Sequence, residues 1–367
     1  MTPERAAGAS IHVVRFAPAK LNLTLAVVDR REDGFHDLHS IMVPLSLGDA
    51  LTVATRPGGG ARDSLRVTGL TLSSAPDNLV VRAIAAARAA VARTWPGAPA
   101  APPPLAARLA KRIPVAAGLG GGSSDAAAAI EAALAAWSAS LAPAEKAELA
   151  ASLGSDVPFF LAGGAALVTG RGELVEPLPD IEGESPAVLL VTPRLSVATA
   201  SVFDAYAGGA RRGPVSPALE ISERLAVAMR TGLTAVGLLK EAVELVRAND
   251  LMTATAALAP GLSIFGAALE RLVGRPVCQS GSGPTLWSLY PTLAEARKAV
   301  RFVRLAAVNG TLPLVGSGEP FVAATTIAGR SAPPVVSLPD GTTGAIRPRT
   351  VHNGFDAAEH RPEEPAG

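Results

Sequence analysis

Between residues 11 and 28 Val, Leu and Thr recur at the two-residue period of a strand, interrupted by Pro18 and Lys20. Asp33-Gly34 is a turn signal. The same alternation predicts strands over 40–47, 50–55 and 64–70, with a glycine-rich turn at 56–63. Asp77 or Asn78 is placed to cap a helix running to about residue 93. Five prolines among the nine residues 96–104 admit only a loop, after which 105–113 reads as strand. Helices are expected over 123–138 and, with proline at its start, over 143–153; short strands follow at 165–169 and 173–178. From 187 onward strand and helix patterns alternate: strands at 187–192, 277–279 and 286–289, helices at 219–229, 232–249, 264–272 and 294–303. That order predicts an α+β second half with helices on one face of an antiparallel sheet. Beyond about residue 329 the periodicity stops, and the composition reads as a disordered tail.

A chain of 367 residues is long enough for two cores, since single cores stop growing near roughly 250–300 residues. Mean hydropathy is +0.31, carried by Ala and Val, yet no run reaches the roughly 18 apolar residues of a membrane span. The first ten residues hold Glu4 and Arg5 and lack the apolar segment of a signal peptide. Cys278, the single cysteine, excludes an internal disulfide and fits a reducing cytoplasm; a structural zinc site has no ligand set. Thirty-three basic against 32 acidic residues leave a net charge of +1, without the basic stripe of a nucleic-acid binder. The expected partner is a small molecule, with neither nucleic acid nor membrane involved.

The chemistry concentrates in Pro114-Val115-Ala116-Ala117-Gly118-Leu119-Gly120-Gly121-Gly122-Ser123-Ser124, which runs into an alanine-rich helix. Glycines let backbone N–H groups close around an anion, and a helix N-terminus adds unpaired N–H groups and the positive end of its dipole. The loop therefore reads as a phosphate cradle, against the plainer alternative of a flexible loop with an N-cap. It lacks the Gly-Lys-Ser/Thr of one common phosphate loop and the correctly placed acidic residue of the other. Ser123 or Ser124 could reach phosphate or Mg²⁺, or simply cap the helix.

Two further segments accompany this loop: Ala17-Pro18-Ala19-Lys20-Leu21-Asn22-Leu23 with Asp33-Gly34-Phe35-His36, and Gln279-Ser280-Gly281-Ser282-Gly283-Pro284-Thr285. In order and spacing the three resemble the GHMP kinase superfamily, and within it the branch acting on a cytidine diphosphate-linked polyol. The resemblance covers about residues 11–325. It implies a first domain like the second domain of ribosomal protein S5 (11–180, ATP-binding) and a ferredoxin-like second domain (181–328). These are flanked by an extension at 1–10 and the tail at 329–367. It implies ATP as phosphoryl donor, with Mg²⁺ accompanying it, and an alcohol as acceptor.

By position the resemblance makes Asp156 the catalytic carboxylate and Lys20 the lysine beside it. Asn22 and His36 would hold the substrate, and Phe35 and Phe203 would sandwich its cytosine. Taken singly, Asp156 could equally be a turn carboxylate before Pro158, Lys20 a surface cation, His36 a core histidine and Phe203 a core aromatic. The chain departs from the family in having Phe35 where tyrosine is common and Ala162 where a basic residue is frequent. Homoserine- or mevalonate-type kinases, and an inactive nucleotide-binding protein on the same fold, remain the alternatives.

Overall fold

The computed structural model describes residues 12–55, 62–70, 77–94, 102–208 and 216–330, and the strand at 336–338. In chain order the first half is β1 (His12–Asn22), β2 (Ala26–Arg30), β3 (His36–Thr55), β4 (Ser64–Gly69), α1 (Leu79–Thr94), β5 (Leu105–Lys111), α2 (Gly121–Trp137), α3 (Pro143–Leu153), α4 (Val157–Ala162), β6 (Ala166–Gly170) and β7 (Leu174–Pro177). The second half is β8 (Ala187–Thr192), α5 (Thr199–Gly208), α6 (Pro217–Arg230), α7 (Ala235–Lys240), α8 (Ala242–Leu245), α9 (Met252–Leu258), α10 (Pro260–Val273), β9 (Cys278–Gln279), β10 (Leu286–Tyr290), α11 (Leu293–Val308) and β11 (Phe321–Thr326), then β12 (Val336–Leu338).

The strands form two sheets. The larger has eight strands, with β12-β1-β3-β5-β4 as its main path and β2, β6 and β7 attached through the long β3. Around Ala17 and Asp49, which pair across β1 and β3, the inward-facing odd-numbered positions pass from one core to another. Before this point Val13 and Ala17 on β1, with Leu51 and Val53 on β3, pack under α1 and α2. Beyond it Ala19, Leu21, Leu23, Ile41, Val43 and Leu45 face the second core. The register shift between Pro18 and Lys20 accommodates the switch, and it turns Lys20 and Asn22 towards the glycine loop.

The smaller sheet is antiparallel in the order β11-β8-β10-β9. β8 is buried on both faces: Ala187, Leu189 and Val191 meet α10 and α11, whereas Val188 and Leu190 join the core shared with β1 and β3. One apolar interior thus welds the two sheets together. This mixed architecture is the expected α+β class. No single helix among the described residues is long and apolar enough to cross a membrane.

Several boundaries differ from the sequence reading for identifiable reasons. The strands expected at 40–47 and 50–55 are one strand, β3. Gly48 lies where a Cβ would fall 2.4 Å from the Phe16 ring, and the Asp49 carboxylate is fully used by buried partners. The helix expected over 232–249 is two short helices, α7 and α8, meeting at Glu241; Thr234 starts the first by accepting from the Gly237 N–H at 3.0 Å. Helices α5 and α9 and strand β11 were not anticipated. Of the tail read as disordered, Arg330 is anchored by Asp180, and β12 pairs with residues His12–Val14 of β1. The rest of that segment and the extension at 1–10 lie outside the described residues.

Beneath α2 three buried charges meet. The Lys111 ammonium contacts Asp49 on β3 and, at 2.7 Å, Asp125 on α2; none of the three is more than 4% exposed. Asp49 also accepts the backbone N–H groups of Arg112 and Ile113, whereas Asp125 Oδ1 has no partner. One ammonium cannot neutralise two carboxylates, and burial pushes the Asp125 carboxyl up to about 7, Lys111 opposing and Asp49 reinforcing the shift. A group raised in the folded state contributes stability that is fully present below its ordinary value of 3.8 and is lost as pH rises through about 7. Asp125→Asn should therefore compare worst with the parent near pH 4 and gain on it steadily up to pH 7. Urea midpoints across that range read this directly; a constant offset would show that Asp125 does not take up the proton.

Candidate active site

Residues 114–124 leave β5 and enter α2 along the seam between the two sheets. Ala117 and Leu119 are buried in the shared core and pin the loop, while Gly118, Gly120 and Gly122 are left nearer the surface. Gly118 has φ +76°, and a Cβ there would fall 2.5 Å from the Ser280 carbonyl oxygen. Gly120, φ +67°, occupies the N-cap of α2 without a side-chain cap; a Cβ would fall 2.9 Å from both Lys20 Cγ and the Phe160 ring. Both positions combine a left-handed backbone with close approach, the two conditions that demand glycine. Helix α2 starts at Gly121, two residues earlier than the pattern suggested, so Ser123 and Ser124 lie in its first turn and cap nothing. The Ser124 N–H makes an intrahelical bond to the Gly120 carbonyl at 2.9 Å, which leaves the N–H groups before it for an outside acceptor, and the buried Ser124 Oγ has no partner.

Opposite the loop stands Lys20, 4% exposed. Its backbone N–H donates to the Leu119 carbonyl at 2.9 Å, which fixes strand and loop together. Its Nζ donates to Asn22 Oδ1 at 2.5 Å and lies 3.8 Å from Asp156 Oδ2. Burial lowers the basicity of Lys20, and the Asp156 charge opposes that shift. Asp156 occupies the N-cap position of α4 but its side chain makes no cap bond; it is 30% exposed and directed at Lys20. It lies in the turn before Pro158 without capping the helix that follows. Asn22 Nδ2 donates to Ser40 Oγ at 2.9 Å, and Ser40 in turn donates to the Thr24 carbonyl, so the amide is held rigidly.

The third segment closes this arrangement from the smaller sheet. Ser280 Oγ donates to the Gly118 carbonyl at 3.1 Å and accepts from the Asn22 N–H at 3.4 Å. Gly281, φ +58°, places a would-be Cβ 3.1 Å from Asn22 Oδ1 and 3.4 Å from Lys20 Nζ. Asn249 Nδ2 braces the turn by donating to the carbonyls of Gln279 and Gly281 at 3.0 and 2.9 Å. Neither Asn249 nor Ser40 is singled out by the sequence, since each stands among other polar residues, Arg247 and Asp250 around the one and Asp37 and His39 before the other. Cys278 is buried in the shared core, which raises its thiol well above the reactive range.

The aromatic residues are arranged less simply. His36 opens β3, and its ring stacks on Phe203 of α5 with centroids 5.3 Å apart and planes at 23°; Tyr206 meets it edge-on at 6.3 Å. Burial and the nearby Arg30 lower the His36 basicity, with Asp204 opposing the shift. Phe35 is 48% exposed, and the Arg171 guanidinium lies 5.3 Å over its ring. Phe35 lies just before the strand, in the turn closed by the Arg31 N–H donating to its carbonyl at 2.8 Å.

Among the described residues no cluster of His, Cys, Asp and Glu could hold a metal by itself. The glycine cradle and the unpartnered Ser124 hydroxyl do fit a phosphate chain with an accompanying cation.

Comparison with known proteins agrees with this geometry. A model of the GHMP kinases N terminal domain matches residues 78–164. The 4-diphosphocytidyl-2-C-methyl-D-erythritol kinase of Deinococcus radiodurans is 40% identical over 285 residues, 77% of this chain and 86% of that protein. Its counterpart from Pelotomaculum thermopropionicum is 36% identical over 296 residues, covering 80% and 94%. A crystal structure of 4-(cytidine 5'-diphospho)-2C-methyl-D-erythritol kinase aligns with a TM-score of 0.61 at 31% identity, over 85% of this chain and 99% of that one. Homoserine kinase from Cytophaga hutchinsonii has a TM-score of 0.60 at 18% identity, over 90% and 99%, and shares the fold.

Gly120→Val tests the cradle. A branched side chain at φ +67° is strained, and its Cβ would displace Lys20 or Phe160. Calorimetry should find ATP binding lost while circular dichroism stays that of the parent. Unchanged affinity would make the loop a structural connector only.

Proposed function

From its membership of the GHMP kinases, and within them of the 4-diphosphocytidyl-2-C-methyl-D-erythritol kinase family, we propose the following roles for the residues of this chain. The reaction is ATP-dependent phosphorylation of the 2-hydroxyl of that cytidylyl polyol, a step of isoprenoid precursor synthesis. The oxygen–phosphorus bond forms on the acceptor hydroxyl as the bond between the γ-phosphorus and its bridging oxygen breaks. ADP leaves and the hydroxyl proton must find a base.

Asp156 is that base. The observation that carries this reading is its position: uncapped, partly exposed, and facing a buried ammonium at 3.8 Å across the mouth of the glycine loop. Lys20 offers its charge to the transferring phosphoryl oxygens, where a loose transition state accumulates negative charge. Asn22 orients Lys20 and, with Gly281 close by, borders the space for the acceptor. The loop from Pro114 to Ser124 holds the donor phosphates with the backbone N–H groups it leaves unpaired. Mg²⁺ carried in with ATP would neutralise those phosphates, and Ser124 Oγ is the side chain free to help hold it.

At the far end of the acceptor, His36 reads the cytosine edge. A spacing of 5.3 Å leaves no room for a base between His36 and Phe203. The base is therefore received between that stacked pair and Phe35, which has room to swing because it is half exposed. The absence of a long apolar helix among the described residues and the single buried thiol are consistent with a cytoplasmic enzyme.

Asp156→Asn preserves shape but removes the proton acceptor, so turnover in a coupled ADP-release assay should fall at least ~10²-fold with both substrates still binding. Near-normal turnover would return Asp156 to a structural part. Phe35→Ala should weaken the cytidylyl substrate by about 1–3 kcal/mol, the range for a lost base–aromatic stack, and leave the KM for ATP unchanged. Efficient phosphorylation of homoserine or mevalonate, insensitive to the substitution, would contradict the base clamp.

A further inference from the structure

Both substrates of the proposed reaction are polyanions, yet three of the cations near the site are already committed. Lys111 is enclosed by Asp49 and Asp125, and Lys20 is held by Asn22 and Asp156. Arg31 is spent on Asp33 at 3.0 Å and on Asp37 at 3.1 Å. Arg171 differs. Its guanidinium makes no hydrogen bond among the described residues, and its closest carboxylate, Glu173, lies 3.9 Å from Nε, too far to occupy the N–H groups. The side chain is one-third exposed, so those donors face accessible space.

Its placement is specific. Arg171 sits in the tight turn between β6 and β7. On one side its guanidinium lies over Phe35, the neighbour of His36. On the other side Gly172 abuts Ser155, the neighbour of Asp156: a Cβ on that glycine would fall 3.1 Å from Ser155 Cβ. The turn therefore spans the base end and the hydroxyl end of the acceptor pocket. In a cytidine diphosphate-linked alcohol the group lying between base and hydroxyl is the diphosphate. Planar guanidinium donors match phosphate oxygens in pairs, and stacking on Phe35 orients the fork while Glu173 restrains it from behind.

We propose that Arg171 recognises the diphosphate of the acceptor substrate and so sets the preference for a nucleoside diphosphate-linked alcohol over an uncharged one; this rests on the acceptor reading given above. Arg171→Ala and Arg171→Lys are compared with the parent for competitive inhibition by CDP and by cytidine, each against the cytidylyl substrate. KM for ATP is followed in parallel. The alanine variant should lose roughly 10- to 100-fold in CDP affinity, the scale of a charge-assisted pair of hydrogen bonds, with cytidine and ATP unchanged. The lysine variant should recover part of the loss, because charge returns without the fork. Equal weakening of CDP and cytidine would overturn the proposal and leave Arg171 as a support for Phe35. An unchanged CDP constant would also overturn it, and a loss in Arg30→Ala would then assign the role to the cation beside His36. If neither CDP nor cytidine competes in the parent, the acceptor reading itself falls, which no result on Arg171 alone can mimic.

Discussion

The buried contact of Lys111 with Asp49 and Asp125 is the constraint on which the site is built. It draws together a residue from the middle of β3, the last residue of β5 and the fifth residue of α2. The glycine loop connects the latter two, so its span and the direction of the helix axis are fixed by this one ionic knot. Desolvating three charged groups is costly, and removal of a single member would strand another without a partner. The knot also lies against the phosphate cradle, since the Lys111 ammonium is 3.3 Å from where a Gly121 Cβ would stand. The backbone that is to hold an anion is thus set by charges that never reach solvent.

From this anchor the remaining parts follow by contact. The loop leans on the smaller sheet through Ser280 and Gly118, and on β1 through Lys20 and Leu119. Because the two sheets share one apolar interior, the seam between them is stiff, and side chains contributed from both can be held at hydrogen-bond precision. Ser40, Asn22, Ser280 and Asn249 are among the polar residues buried there, and each has a partner.

What the sequence reveals and what it hides divide along the range of the interactions. The strand at 187–192 is legible because a run of β-branched and aliphatic residues buries both faces, and the helix at 143–153 because proline marks its first turn. Asn78 is a helix cap in both readings, accepting from the Val80 N–H at 2.9 Å. The glycine loop is legible because its chemistry is written in consecutive residues. Long-range pairs are not: Asp49 and Lys111 are 62 positions apart, so Asp49 reads as a strand break until its partner is seen. Phe35 and His36 mislead in the opposite sense: adjacent in the chain, they keep different company, Phe35 half exposed beneath Arg171 and His36 stacked on Phe203. Arg171 carries no local signal beyond a glycine on either side.

The short strand β12 has a consequence for the behaviour of the molecule in a crowded solution. Without it β1 would be the outer strand of the larger sheet, presenting unpaired backbone groups near its start. Such an edge is a template on which another molecule's strand can add. Three residues from the far end of the sequence occupy that position instead, and a strand so short offers little for a newcomer to extend. Until they have been synthesised, the emerging polypeptide must carry an open edge, so self-association is a hazard of the unfinished chain more than of the finished one.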